Sequence, residues 1–388
     1  MTQERERGVR RVALAGADVL DVDSGSARRA DVVLRGDRIA AVGPGLDGDD
    51  RVDCTGGLLV PGLIDCHAHV AFLLEEPLPR SVRLFEAVAV LRGLLERGVT
   101  TVRDALGADA GFRHALSAGW ISGPDLLICV GQLSPTGGLG DDWTPDLGEV
   151  DLFGDPSMPN PRFDGIDGAR AAVRRMVRAG ADWIKIGADG TLGALRRGGA
   201  VRPTDDELGA LVDEAVRCGR DAFAHVHTSD AAVASARAGV RSVEHGVFLD
   251  EQAVAAMREH GCWYVPTLAG VHAEGDEATD EAHRRSVRLA LDAGVSIAAG
   301  SDMSSRPRVD LLDELPLLSR AGLGDLGALR VATSDAARLL RLDHDRGRLA
   351  PGLRADLVLL DGPAFTTADL PARIRRVWRN GRAVTATG

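Results

Sequence analysis

The sequence lacks three features: paired cysteines, a surplus of basic residues and a long apolar run. Its five cysteines are scattered and form no CxxC pair, so we expect neither a disulfide framework nor a zinc-thiolate site. They are Cys54, Cys66, Cys129, Cys218 and Cys262. No run approaches the roughly 18 consecutive apolar residues of a membrane-spanning helix, and residues 1–11 lack the apolar segment of a signal peptide. We therefore expect a cytoplasmic protein with reduced cysteines and no membrane partner.

The charge balance argues against nucleic acid as a partner. The 388 residues include 46 of Lys and Arg against 57 of Asp and Glu, which gives a formal net charge of -11. Such a balance disfavours binding to a phosphate backbone. The length suffices for one large barrel plus a smaller domain. We expect a small-molecule substrate as the partner and a homo-oligomer as the assembly.

Both ends of the chain are rich in strand signals. Short alternating or β-branched runs separated by Gly and Asp fill residues 11–59, and similar runs closed by Asp-Gly and Asn-Gly turns follow residue 354. Neither end alone is large enough to bury a core. We therefore predict that residues 1–60 and 345–388 pair into one small β-sandwich.

The region between the ends, residues 61–344, alternates apolar runs with helix-like segments. The apolar runs cover residues 63–70, 99–104, 126–130, 183–187, 222–227, 240–245, 262–267 and 295–302. Several helical segments begin with a capping signal, such as Thr204 followed by Glu207, and end at glycine. The last one is predicted over residues 312–342. Eight strand-helix units in roughly 250 residues are typical of a (β/α)8 TIM barrel, which is the α/β fold that we predict.

One long connection does not fit a minimal barrel. Residues 131–164, after the third predicted strand, are rich in Pro, Gly and Asp. Loops of this length are commonly functional or disordered. Because βα loops border the site of a barrel enzyme, we favour a lid over the substrate, with an idle insertion as the alternative.

The first strand of the barrel carries a candidate metal site. In an extended strand, side chains alternate between faces, so Asp65, His67 and His69 share one face while apolar neighbours share the other. Two imidazoles at i and i+2 that point into a barrel can bind one metal ion. Two half-exposed strand histidines are the alternative reading, so residues elsewhere must decide.

Further polar residues occur at the carboxyl ends of other predicted strands, where barrel enzymes keep their catalytic groups. They are Lys185, His225, His227, His245 and Asp302. We expect His225 to lie deeper and bind metal, and His227 to lie nearer the mouth and meet substrate or simply be exposed. The alternation of the strand after Val243 predicts that His245 points inward, a core histidine being the alternative. Asp302 can bind metal and accept a proton from water, or merely cap a helix.

Lys185 is unusual because it lies between Trp183, Ile184 and Ile186. Burial lowers the pKa of a lysine and raises its neutral fraction. A neutral amine can react with carbon dioxide, and the resulting carbamate could bridge two divalent cations. A salt bridge from Lys185 to Asp182 or Asp302 is the alternative.

These motifs resemble those of the amidohydrolase superfamily along almost the whole chain. They occur in family order: His67-Ala-His69, Ile184-Lys-Ile186, His225-Val-His227, Glu244-His-Gly246, Val265-Pro-Thr267, Gly300-Ser-Asp302, Thr333-Ser-Asp-Ala-Ala337 and Gly352-Leu-Arg-Ala-Asp-Leu357. Within the superfamily the chain is similar to the binuclear, prolidase-like aminoacyl dipeptidases and the amidase that hydrolyses ochratoxin. The resemblance implies two divalent ions, with zinc favoured and manganese or cobalt as alternatives.

The resemblance also implies a role for each ligand. His67, His69 and Asp302 would bind the more buried ion, His225 and His245 the other, and carboxylated Lys185 would join the two. A loop at the substrate is implied for Thr136, Gly137, Gly138 and Leu139. The relatives often have a histidine in place of Leu139 and an aromatic residue in place of His227, which leaves the substrate open.

We therefore expect a hydrolase that cleaves an amide or peptide C–N bond with metal-activated water and Asp302 as the catalytic acid-base group. His227, Arg306 and Arg308 are candidates to bind a substrate carboxylate. A mononuclear deaminase is weakened because Thr228 stands where such enzymes have a Glu. An imidazolonepropionase-like cyclic-amide hydrolase and a lactone or phosphoester hydrolase stay open, whereas a non-catalytic scaffold is disfavoured because a loss of function would not be expected to preserve every ligand.

Overall fold

The computed structural model describes residues 10–72, 79–141, 143–144, 146, 148–149, 158–199, 201–274, 276–304 and 309–385. The strands are β1 (Arg11–Leu20), β2 (Ala27–Arg35), β3 (Arg38–Gly43), β4 (Asp50–Asp53), β5 (Gly57–Pro61), β6 (Leu63–Ala68), β7 (Val99–Asp104), β8 (Asp125–Ile128), β9 (Gln132–Pro135), β10 (Trp143–Thr144), β11 (Gly148–Glu149), β12 (Arg162–Phe163), β13 (Trp183–Gly187), β14 (Asp221–Thr228), β15 (Ser242–Phe248), β16 (Trp263–Val265), β17 (Leu357–Asp361), β18 (Ile374–Arg379) and β19 (Arg382–Ala383).

The helices are α1 (Arg80–Glu96), α2 (Ala110–Ser117), α3 (Gly165–Arg178), α4 (Leu192–Arg196), α5 (Asp205–Arg217), α6 (Ser229–Ala238), α7 (Glu251–Glu259), α8 (Leu268–Glu274), α9 (Glu277–Ala293), α10 (Leu311–Leu318), α11 (Gly324–Val331), α12 (Ser334–Leu339) and α13 (Leu370–Arg373), with a π-helical turn over Ser319–Leu323. The capping box predicted at Thr204 and Glu207 is present at the start of α5. Across the described ranges, no helix is long and apolar enough to cross a membrane.

The two chain ends pair with each other, but their described residues form one sheet rather than the two packed sheets of the predicted β-sandwich. Strands β17 and β5 run antiparallel, with Leu357 opposite Pro61. Hydrogen bonds join eight strands from both ends into a single sheet, in the order β19-β18-β17-β5-β1-β2-β3 with β4 also paired to β1. This sheet buries its own apolar cluster, which includes Trp378. The domain limits at residues 60 and 345 stay a prediction.

The central region contains two parallel sheets. One has the order β6-β7-β8 and the other the order β12-β9-β13-β14-β15-β16. Seven of the eight predicted strands are present as β6, β7, β8, β13, β14, β15 and β16. Strand β9 was not predicted, because it lies inside the loop that was expected over residues 131–164. Val130 has a φ of 69°, which interrupts the third strand before the chain resumes pairing at Gln132.

The eighth predicted strand does not form a regular strand. Residues 295–303 instead make two isolated parallel bridges, from Ile297 to Tyr264 and from Met303 to Ala68. Backbone hydrogen bonds from Asp302 N to His67 O and from His69 N to Met303 O, both 2.7 Å, hold this segment beside β6. The segment therefore lies between β16 and β6, although no closed eight-stranded barrel is assigned within the described residues.

The prediction of one continuous helical segment over residues 312–342 is wrong. The chain forms α10, a π-helical turn, α11 and α12 in succession. Gly322, with a φ of 130°, and Gly324, with a φ of 66°, break the helix because a right-handed helix requires a negative φ.

The predicted lid at residues 131–164 is only partly within the described residues. Its described part contains β9, the short hairpin of β10 and β11, and β12, whose Arg162 pairs with Ser134 of β9. Residues 142, 145, 147 and 150–157 lie outside the described ranges. The lid function stays a prediction.

A matched pair of glycines tests the packing of the eighth segment on β6. A Cβ at Gly300 would lie 2.6 Å from Cγ1 of Val265 and 2.8 Å from Cβ of His67, whereas a Cβ at Gly209, inside α5, would meet nothing within 4 Å. We expect Gly300→Ala to lower the free energy of unfolding by about 1–3 kcal/mol through overpacking. Gly209→Ala should raise it by about 0.5–1 kcal/mol. Urea unfolding measures both, and equal effects would contradict this packing.

Candidate metal centre

The carboxylate of Asp302 brings both histidines of the first strand together. Its Oδ1 lies 3.3 Å from Nε2 of His67 and 3.1 Å from Nε2 of His69. His67 is fully buried. Burial alone would raise the pKa of Asp302, but the adjacent imidazoles of His245 and His67 outweigh burial and hold that pKa well below its usual range. Asp302 is therefore an ionised carboxylate among imidazoles.

Asp65 and Ser301 connect β6 to the segment that carries Asp302. Oδ1 of Asp65 accepts hydrogen bonds from the backbone N–H of His67 at 3.0 Å and of Ser301 at 3.1 Å. Its Oδ2 accepts from Oγ of Ser301 at 2.6 Å. Burial raises the pKa of Asp65 to about 7 despite these bonds. Asp65 is two residues before His67, and Ser301 directly precedes Asp302. The connection therefore fixes these two candidate ligands relative to each other.

A buried ion pair contacts the ring nitrogen of His67 that does not face Asp302. Oε2 of Glu244 accepts a hydrogen bond from Nδ1 of His67 at 2.7 Å and lies 3.0 Å from Nη2 of Arg103. Both charged side chains have no exposed surface. Burial favours the neutral acid, but the charge of Arg103 and the bond from His67 outweigh burial and lower the pKa of Glu244 to about 2. An ionised Glu244 accepts a hydrogen bond from Nδ1–H, so Nε2 of His67 keeps its lone pair for a metal.

Arg103 and Glu244 were not predicted as site residues. Arg103 also stacks on the ring of Phe223, with 3.9 Å between its Cζ and the ring centroid. The sequence did carry a signal, since Arg103 is the only basic residue of β7 and Glu244 is the only acidic residue of β15. A buried charge requires a partner of opposite sign, and these two strands supply one of each.

Lys185 is 1% exposed and lies beside the first histidine. Its Nζ is 3.4 Å from Nε2 of His67 and 4.9 Å from the ring centroid of Phe223. Burial lowers the pKa of Lys185 to about 8. The alternative of a salt bridge to Asp182 is wrong, because the carboxylate of Asp182 pairs with Arg113.

His245 and His225 complete the cluster. Nδ1 of His245 lies 3.7 Å from Oδ2 of Asp302, and its ring centroid is 4.4 Å from that of His225. The predicted reason for the inward direction of His245 is wrong, because Glu244 already occupies the inner face of β15 through its bonds to His67 and Arg103. His245 has a φ of 66°, and this left-handed residue breaks the alternation that would otherwise separate neighbours.

The exposure of the two histidines of β14 is the reverse of that predicted. His227 is 4% exposed, whereas His225 is half-buried. Asp189 accepts a hydrogen bond from the backbone N–H of His227 at 3.3 Å. Nδ1 of His227 has no hydrogen-bond partner within the described residues. Burial lowers the pKa of His227 to about 4, so the ring is neutral and has a free nitrogen.

The expected substrate loop lies at the carboxyl end of the strand that carries Lys185. Thr136 Oγ1 donates to Asp164 at 2.8 Å, and the backbone oxygen of Leu139 accepts from Nε2 of Gln132 at 3.3 Å. A Cβ at Gly187 would lie 3.2 Å from Cβ of Leu139. The substrate role of Thr136, Gly137, Gly138 and Leu139 stays a prediction. Arg306 and Arg308 lie outside the described residues.

The donor set suits a divalent transition metal. Within the described residues, donor atoms of His67, His245 and Asp302 lie within 4.8 Å of one another. Imidazole and carboxylate are the ligands that zinc, manganese and cobalt share. The structure thus groups His245 with His67 and Asp302, while the resemblance assigns it to a second ion with His225, whose ring centroid lies 4.4 Å from that of His245.

Loss of the charge on Glu244 tests whether its buried pair with Arg103 supports His67. Glu244→Gln leaves the charge of Arg103 buried and unpaired, so we expect a loss of about 3–5 kcal/mol in the free energy of unfolding. We also expect metal affinity to fall about 10–100-fold, because His67 loses its carboxylate partner. The control is Arg341→Gln, which breaks a largely exposed pair with Asp221 and should cost at most about 1 kcal/mol. Equal losses in the two variants would show that the buried pair has no special role.

Comparison with known proteins identifies the family. Over 378 residues, ochratoxinase of Aspergillus niger is 29% identical, a match covering 85% of this chain and 76% of the ochratoxinase. A crystal structure of a prolidase complexed with N-methylphosphonate-L-proline superposes with a TM-score of 0.85 and 31% identity, and covers 97% of this chain and 100% of that one. A Xaa-Pro dipeptidase with bound methionine gives a TM-score of 0.85 and 25% identity, covering 96% and 99%. Residues 58–384 match the amidohydrolase family, and the chain therefore belongs to that family.

Proposed function

We propose that the protein is a binuclear metal-dependent hydrolase that cleaves the C–N bond of a small amide, such as a dipeptide or an N-acyl amino acid. The observation that carries this proposal is the placement of Lys185, which is buried with its Nζ 3.4 Å from Nε2 of His67. Of the 46 Lys and Arg residues, Lys185 is the only lysine. Arginine keeps its proton and cannot form a carbamate, so a lysine at this position favours chemistry of the amine.

The residues would divide between two divalent ions. On this proposal His67, His69 and Asp302 hold one ion, and His225 and His245 hold the other. Carboxylated Lys185 would be the ligand that the two ions share, and its negative charge would remove the cost of burying an ammonium group beside them. Zinc, manganese and cobalt are the candidate metals because all three bind imidazole and carboxylate. Among them zinc is favoured.

Asp302 is the residue that would move the proton. Divalent ions bound here would polarise the amide carbonyl and make water more acidic. Asp302 would accept a proton from the attacking water and deliver it to the leaving amine. The imidazoles of His245 and His67 hold the pKa of Asp302 well below its usual range, so its carboxylate is ionised and could bind a metal ion. Glu244 would keep His67 in the tautomer that presents Nε2.

His227 is the proposed contact to the substrate. Its free Nδ1 could form a hydrogen bond to a substrate carboxylate, which dipeptides and N-acyl amino acids share. The similar proteins named ochratoxinase, prolidase and Xaa-Pro dipeptidase support an amide substrate of this kind. The loop from Thr136 to Leu139 would border the same space, since it lies against Gly187 at the end of the strand of Lys185.

We extend the proposal to the fold and the setting of the protein. The two parallel sheets and residues 295–303 would form one distorted (β/α)8 barrel beside a small terminal β domain, as the similar structures support. The described residues contain five cysteines without a disulfide, which suits the proposed cytoplasmic location. A homo-oligomer is also proposed.

Replacement of Lys185 tests the bridge. Lys185→Ala should lose bound ions and activity together, with kcat/KM falling roughly 100-fold or more. Added formate or acetate should restore part of both, because a small carboxylate can take the place of the carbamate. The matched variant Lys185→Arg keeps a cation and should not be rescued. Metal content and kcat/KM are measured for each, and an unchanged rate in Lys185→Ala would refute the bridge.

A substrate panel tests the reaction class. The panel contains N-acyl amino acids, Xaa-Pro, Xaa-Arg and Xaa-Lys dipeptides, a cyclic amide of the imidazolone type, and lactones. We expect turnover of at least one amide with a free carboxylate, with a higher KM in His227→Ala than in the wild type. Turnover of lactones alone would reject the proposed amide hydrolysis in favour of the ester alternative, and turnover of the cyclic amide alone would favour the imidazolonepropionase-like reaction.

A further inference from the structure

Two buried side chains bond to the backbone carbonyl of His245. The hydroxyl of Tyr264 donates to this oxygen at 2.9 Å, and Nε2 of His283 lies 2.7 Å from it. Because a carbonyl oxygen can only accept, Nε2 of His283 is the donor. Tyr264 has no exposed surface and His283 is 1% exposed. We call these two donors the His245 clamp.

The clamp acts at the point where the backbone departs from strand geometry. His245 has a φ of 66° and Gly246 a φ of 55°, so two consecutive residues are left-handed. A left-handed conformation is unfavourable for a residue with a Cβ, and it persists where the surroundings enforce it. Tyr264 also packs on Gly246, where an added Cβ would lie 2.7 Å from Cε2 of the tyrosine ring. The hydroxyl bonds to Gly246 O as well, at 3.0 Å.

The donor His283 is on a helix with its own anchors. Asp276 caps α9 by accepting from the backbone N–H of Thr279 at 2.9 Å. Ser286, one turn after His283, donates to Val247 O at 2.8 Å and accepts from Leu249 N–H at 3.0 Å. The helix therefore binds the chain on the far side of Gly246 independently of His283, which makes Ser286 a matched control.

We propose that His283 is a positioning residue that, together with Tyr264, holds the left-handed backbone of His245 and so directs its imidazole into the metal centre. This inference rests on the proposed function, in which His245 is a metal ligand. Without the clamp, the strand alternation set by Glu244 would favour a conformation that turns His245 outward. Residues that orient a ligand without touching the metal typically change metal affinity 10–100-fold when replaced.

Three variants separate positioning from general stability. His283→Leu removes the donor, and we expect Zn²⁺ affinity, measured by competition with a chromogenic chelator, to fall about 10–100-fold at the weaker site. His283→Gln keeps an N–H donor and should recover most of the affinity. Ser286→Ala removes bonds to the same turn beyond the ligand and should change Zn²⁺ affinity less than about threefold. Equal affinity in His283→Leu and wild type would overturn the proposal.

A spectroscopic signal reports on the clamp directly. Tyr264 is the only tyrosine in the sequence, so 3-fluorotyrosine labelling gives one ¹⁹F resonance. Zn²⁺ should shift that resonance at similar concentrations in the wild type and in Ser286→Ala, whereas His283→Leu should need a concentration about 10–100-fold higher for the same shift. Should His283→Leu fail to fold, Tyr264→Phe removes the other donor without removing the ring, and unchanged Zn²⁺ affinity there would overturn the clamp. A wild type that binds no Zn²⁺ would instead refute the proposed metal centre itself.

Discussion

The buried contact between Glu244 and His67 is the interaction on which the rest of the centre depends. It joins a strand of one parallel sheet to the first strand of the other, and it sets which nitrogen of His67 faces Asp302. The arrangement is stable only because Arg103 compensates the charge of Glu244 and stacks on Phe223. A charge pair of this kind is costly to bury, so its presence beside the candidate ligands supports the proposal that it orients them.

The second constraint is backbone geometry. His245, Thr267 and Asp302 have φ values of 66°, 55° and 53°; His245 lies within β15, Thr267 follows β16, and Asp302 lies in the segment 295–303. Thr267 in turn contacts Nδ1 of His245 through its hydroxyl at 2.7 Å. Residues other than glycine rarely adopt a left-handed backbone conformation, and those that do cluster where the surroundings hold a functional side chain in place. Here they allow neighbouring side chains to face one centre, which a regular strand does not permit.

The sequence predicted which candidate ligands lie close together better than the reasons for their placement. Period-two alternation correctly placed His67 beside His69, and the apolar runs located seven strands. It failed for His245, because alternation assumes a regular strand and cannot anticipate a left-handed residue. It also missed Arg103 with Glu244, since a pair distant in sequence is defined only by the fold. The reversed exposure of His225 and His227 has the same origin, because the loop carrying Asp189 covers the end of the strand.

The most direct test of the central claim is a ¹³C NMR spectrum of the zinc-loaded protein in ¹³C-labelled bicarbonate. With a single lysine in the chain, any side-chain carbamate must belong to Lys185. The account predicts one carbamate resonance per chain together with close to two zinc ions, and the loss of that resonance in Lys185→Arg. A protein that holds two zinc ions and shows no carbamate resonance would contradict it.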